Sequence, residues 1–145
     1  MIYLKIIIGI VLLMSVTFFL LGLKSQKGIA KGLIDGRLAD CSSKPNCVCS
    51  EDGTQPERFV QPLKADLKAV KAAIVSLGGV ITSESDEYVS ATFMSRLYKF
   101  VDDVELRKGE GDFVHIRSAS RVGYSDRGVN KKRVAAIRQK LNAAN

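Results

Sequence analysis

Most of the residues that could do chemistry lie in the second half of this 145-residue chain. Asp102, Asp103 and Glu105 fall within four residues, followed by His115, the single histidine, and by Arg117, Arg121 and Arg133. Carboxylates beside a histidine suit acid–base work or a divalent cation. Arginines around a Gly-containing loop that opens a helix suit a carboxylate or phosphate. Alternation along a strand sends Asp102 to one face and Asp103 with Glu105 to the other, so the three acids need a bulge to form one compact metal site. Three Cys and one His at C-x5-C-x-C do not match zinc spacings. No metal or other cofactor is expected, and no serine elbow, P-loop or HExxH is present.

The acids need a hairpin to hold them, and residues 101–119 supply its pattern. A register that sets Val104 against Ile116 and Leu106 against Val114 on the core side aligns Asp103 with Arg117 and Glu105 with His115 on the other. There they read as exposed cross-strand pairs worth about 1 kcal/mol or less. Asp102 then falls on the core side opposite Ser118, where an unpaired charge is expensive, so Arg121 or Arg133 is its expected partner. Asn130 shares the helical angle of Val134, Ile137 and Leu141, so its amide points inward and must be satisfied by backbone or by Asp102.

These pieces imply an α+β fold. Pro62 followed by Leu63, Leu67, Val70, Ile74 and Leu77 predicts a helix closed by Gly78-Gly79. Strands are predicted at 80–84, 88–94, 101–107 and 113–119, with turns at Asp86-Glu87 and 108–112, and a last helix at about 128–142. The order helix, four strands, helix, with short links between strands, predicts a mainly antiparallel sheet covered by two helices.

Ahead of this domain, residues 1–23 read as a transmembrane anchor. The run Ile6–Leu23 is uncharged over 18 residues, at the lower edge of what crosses a bilayer core, and Lys5 can snorkel. A signal peptide is the rival, but the run exceeds a usual h-region and no A-x-A-like site follows it. Residues 24–35 form a basic tether, and the domain is expected over 36–145. Lys24, Lys27, Lys31 and Arg37 would keep that domain in the cytoplasm by the positive-inside rule. Cys41, Cys47 and Cys49, clustered within nine residues, argue for a Cys41–Cys47 disulfide and an extracytoplasmic side, with Cys49 a free, reactive thiol.

Charge is segregated along the chain. From Glu84 to Asp112 eight acids stand against four cations, whereas from His115 onward eight cations stand against Asp126 alone, within an overall formal charge of +7. A basic end of this kind fits an anionic lipid, polymer or protein partner. No nucleic acid is expected, because Trp is absent and no nucleic-acid module is recognisable.

Gly36-Arg37-Leu38, Cys41 to Ser50 with Pro45-Asn46-Cys47-Val48, Phe100-Val101-Asp102-Asp103-Val104-Glu105, and the long Arg117 to Arg133 segment together resemble the domain of unknown function 1499 (DUF1499) family over roughly residues 36–142. Ser42 stands where a Pro commonly follows the first Cys, and Cys49 where a Ser is usual. The resemblance implies a domain boundary and singles out motifs; it implies no reaction. The expected function is a non-catalytic, membrane-anchored module that binds an anionic ligand or a partner protein, with Arg117, Arg121, Arg133 and Asn130 as the anion-binding candidates. The alternative is a small extracytoplasmic enzyme using Asp102, Asp103, Glu105, His115 and an arginine.

Overall fold

The computed structural model describes residues 1–144. Helix α1 (Ile2–Gln26) is apolar on every side and long and apolar enough to cross a membrane. Its far end is bonded into the domain. Ser25 Oγ accepts the Val101 N–H at 3.0 Å, and the Ser25 carbonyl accepts from Arg121 at 3.1 Å. Gly22 lies so close to the loop beyond that a Cβ there would stand 1.8 Å from the Tyr98 carbonyl oxygen, which excludes any larger residue.

The predicted strands form as β5 (Val80–Glu84), β6 (Tyr88–Met94), β7 (Val101–Lys108) and β8 (Phe113–Ser120), all antiparallel. Short strands extend this sheet: β3 (Cys47–Cys49) pairs with the second half of β8 and β4 (Leu63–Lys64) with its first residues, giving the path β3-β8-β7-β6-β5 with β4 beside β8. A separate small hairpin, β1 (Leu33–Ile34) with β2 (Arg37–Leu38), turns through Asp35 and Gly36 at φ 50° and 76°, the positive-φ pair that a two-residue primed turn requires. None of these four short strands has a hydrophobic period long enough to read in sequence.

Helices α2 (Leu67–Ser76) and α3 (Val129–Ala144) cover one face of the sheet. Val70 and Ile74 from α2, and Val134, Ile137 and Leu141 from α3, close over Val89, Ala91, Val104, Leu106, Val114 and Ile116. Helix α2 starts four residues later than its apolar stripe. Asp66 caps it by accepting the Ala69 N–H at 2.7 Å, and Leu63 reaches the same core from β4, opposite Val114.

The β7–β8 register differs from the expected one by two residues. Glu105 faces Arg117, Leu106 faces Ile116, Arg107 faces His115, and Asp102 faces Ser120 instead of Ser118. A two-residue slip leaves every side chain on its own face, so the hydrophobic pattern cannot choose between the two registers. The turn chooses: Gly109 N–H bonds to the Phe113 carbonyl at 2.8 Å, and Gly111 takes φ 58°.

Cys41 and Cys47 are disulfide-bonded. Cys49 is free, but it is wholly buried on the sheet and burial pushes its thiol pKa up, so the expectation of a reactive thiol is overturned. In the folded, unreduced protein an alkylating reagent should therefore modify none of the three cysteines readily. After denaturation it should add one label without reductant and three with it, as mass spectrometry would count; fast labelling of the native protein would contradict both assignments.

Candidate functional site

The sheet face away from α2 and α3 is polar, as alternation requires: Tyr88, Ser90 and Thr92 on β6, Asp103, Glu105 and Arg107 on β7, His115 and Arg117 on β8. This face is not open to water. Residues 28–39 and the segment after β3 lie over it, and Asp103, Glu105 and Arg117 are buried. The expected exposed pairs are therefore buried ones, made with different partners. Nothing in the pattern of residues 24–35, which carry the composition of a tether, marks this cover.

Each acid meets an arginine. Glu105, fully buried, accepts from Arg117 at 2.7 Å, from the Tyr88 hydroxyl at 2.8 Å and from the Gly32 N–H at 2.7 Å. Burial, with the hydrogen bond to Glu105, raises the Tyr88 pKa well above the usual phenol value. Asp103 takes a two-pronged bond from Arg121 at 2.8 and 2.6 Å. On the helix side, Asp102 pairs with Arg133 at 2.7 Å, and that guanidinium also lies 4.7 Å over the Phe93 ring.

Asn130 is a structural pin. Its Nδ2 donates to the Asn46 carbonyl, Ser120 Oγ and Asp126, and its Oδ1 accepts from Ser118 and Arg133. Asp126 caps α3 by accepting the Asn130 N–H at 2.7 Å. Asp102 thus reaches Asn130 only through Arg133.

A fourth acid, Glu51, was not singled out in sequence because it follows a cysteine cluster and shares no strand period with its partners. It receives Arg107 at 2.8 and 2.9 Å, Arg37 at 3.3 Å and the Leu38 N–H at 3.1 Å. Burial pushes its carboxyl pKa up, but the Arg107 and Leu38 hydrogen bonds and the charges of His115 and Arg107 outweigh it and bring the value down to about 2. His115 stands beside it, with Nδ1 at 3.2 Å from the Ser50 carbonyl, 3.3 Å from Ser50 Oγ and 3.8 Å from Glu51. Serine and acid face the same ring nitrogen, so this trio cannot pass a proton from a nucleophile through the imidazole to a carboxylate. Ser50 Oγ is buried and accepts the Ile116 N–H at 2.8 Å, which marks it as structural.

Beside the second half of β8 is a cavity of about 210 Å³ whose lining includes Lys31, Lys44, Asn46, Arg117, Ser120 and Arg121. Neither Lys31 nor Lys44 pairs with a carboxylate among the described residues. Arg117 Nε is buried and has no hydrogen-bond acceptor. Of the four anion-binding candidates, the structure brings Arg117 and Arg121 to this cavity and places Arg133 and Asn130 on the other side of the sheet.

Removing one member of a buried pair leaves the other charge stranded, at a cost of about 3–5 kcal/mol, whereas an apolar replacement of both is often neutral. Glu105→Gln should therefore destabilise the fold by about that amount in denaturant unfolding, and more than Asp102→Asn, whose side chain is 15% exposed. Pairing Glu105→Leu with Arg117→Met should recover most of the loss. Because the Glu51 pKa falls from 4.5 to about 2 in the fold, its contribution is complete above pH 4.5 and lost as the pH drops through 2. Glu51→Gln should flatten that acid limb of the stability curve; an unchanged limb would assign it to other carboxylates.

None of the curated proteins compared with this chain matches it. The family described as protein of unknown function (DUF1499) matches residues 37–141, a stretch that takes in the six-stranded sheet, α2, all but the last turn of α3, the disulfide and every ion pair described above, and the chain belongs to that family.

Proposed function

We propose that this protein is a membrane-anchored, extracytoplasmic module without catalytic activity, and that it binds a small anionic group in the cavity between the tether and β8. The observation that carries the reading is the charge left over at that cavity. Asp103 and Glu105 neutralise Arg121 and Arg117, which leaves the ammonium groups of Lys31 and Lys44 without a paired carboxylate among the described residues. A phosphate, sulfate or carboxylate supplies what they lack, and a volume near 210 Å³ suits a group of that size.

The same pairing argues against the enzyme alternative, since Asp102, Asp103, Glu105 and Glu51 are each engaged by an arginine and none is left to contact a substrate. An uncleaved anchor is supported by the close fit of Gly22, and of Phe18 before it, against Tyr98 and Phe100, contacts that a cut after the apolar run would remove. The Cys41–Cys47 disulfide supports an oxidising compartment.

Titration of the full chain in detergent with inorganic phosphate tests the site. Lys31→Ala with Lys44→Ala should weaken phosphate binding by about tenfold or more, on the order of 1 kcal/mol for each lost charge-assisted contact. Both side chains are exposed, so the fold should be kept. Lys132→Ala with Lys140→Ala, on the outer face of α3, should leave binding unchanged at moderate salt. The opposite pattern would move anion binding to the helix face, and equal binding in all variants would leave the cavity without this role.

A further inference from the structure

We propose that the β6–β7 loop, residues 95–100, is a second membrane contact: it lies in the bilayer interface beside α1, with Leu97 reaching the acyl-chain boundary and Arg96 and Lys99 facing anionic headgroups. The inference rests on α1 spanning the membrane.

The first observation is depth. The rings of Tyr98 and Phe100 stand 5.3 and 6.4 Å from the ring of Phe18, inside the apolar helix. Phe18 lies five residues before Leu23, where the apolar run ends, and at 1.5 Å per residue this is about 7–8 Å along the axis. A loop packed on Phe18 therefore sits at the level where the span leaves the hydrocarbon, the depth favoured by amphipathic aromatic rings. Leu97, at the tip, is 77% exposed, and Met94, Tyr124 and Val129 expose further apolar surface at the same end of the sheet. A recess of about 270 Å³ bounded by Phe18, Leu21, Phe100, Val122 and Val129 joins this surface to the helix.

The second observation is that the base of the loop is closed by its own hydrogen bonds. Ser95 N–H bonds to the Phe100 carbonyl at 2.8 Å, Phe100 N–H to Ser95 Oγ at 2.9 Å, and Val101 N–H to Ser25 Oγ. These bonds leave only the backbone of the tip, residues 96–99, to be met by water and headgroups, which the interface supplies and the hydrocarbon does not.

The third is charge polarity, which follows from the topology. In an antiparallel sheet the β6–β7 loop lies at one end and the β5–β6 and β7–β8 turns at the other. Lys24, Lys27, Arg96, Lys99 and Arg127 gather at the anchor end against Asp126, while Asp86, Glu87, Glu110 and Asp112 outnumber Lys108 at the far turns. A negative membrane surface attracts the first end and repels the second.

The chain has no Trp, so one introduced indole reports without background. Full-length Leu97→Trp, Ile10→Trp and Glu110→Trp are reconstituted in vesicles of phosphatidylcholine with phosphatidylglycerol, with and without lipids brominated along the acyl chain. Ile10→Trp, at mid-span, should be quenched most by deep bromines. Leu97→Trp should lose most of its emission to shallow bromines and resist acrylamide, whereas Glu110→Trp should behave as in water. Adding Arg96→Glu and Lys99→Glu should return Leu97→Trp toward the Glu110→Trp values. Leu97→Trp matching Glu110→Trp while Ile10→Trp is quenched would overturn the loop contact alone. An unquenched Ile10→Trp would overturn the span and the loop contact with it.

Discussion

The interaction on which the rest of the structure depends is the neutralisation of buried charge across neighbouring strands. Glu105 has no exposure to water, so it must meet a positive charge and enough donors to replace its hydration, and it finds Arg117, Tyr88 and Gly32. Those three partners come from β8, β6 and the tether. One carboxylate thus fixes the alignment of three strands and draws residues 28–39 over the polar face. The hydrophobic core beneath α2 and α3 supplies cohesion, and it would accept the β7–β8 hairpin in either of two registers. The turn at Gly109–Phe113 selects one, and in it Glu105 lies opposite Arg117.

The fold was legible where side-chain period carries information. The strands over 80–94 and 101–120 and the helix at the carboxyl end have long, regular alternations, and their limits agree with expectation to within about two residues. The disulfide was legible from spacing and the inward turn of Asn130 from its helical angle, although its partners, Asn46 and Ser120 among them, come from distant parts of the chain. What could not be read is the cover. Lys24, Lys27, Lys31 and the glycines around them have the composition of a solvated linker, and nothing in their pattern shows that Gly32 donates to Glu105 or that Ser25 accepts from Val101. With the cover unseen, Asp103 and Glu105 were placed in water. Glu51 stayed hidden for a related reason, since its partners are 14 and 56 residues away and no local spacing links them.

The two faces of the sheet divide the work. The helix-covered face holds the core and uses Asp102, Arg133, Ser118 and Asn130 to tie α3 to β7 and β8. The tether-covered face gathers the remaining charged groups and leaves an excess of cation at one place, near Lys31 and Lys44. That excess arises from arithmetic along the strands, because the acids of β7 are each used by an arginine and none remains for the lysines of the covering segment.

Gly22 and Ser25 determine how the domain moves. A globular head on a flexible leash explores a hemisphere above its membrane and can present any side to a partner. Here the helix continues into contacts with Tyr98, Val101 and Arg121, so the head is a rigid extension of its own mast. If α1 spans a membrane, the head spins about the normal and drifts laterally, and it nods only as far as the helix itself tilts. In that case the cavity is carried within a narrow range of heights set by helix tilt, and a partner fixed in the same membrane would meet it by a search in two dimensions.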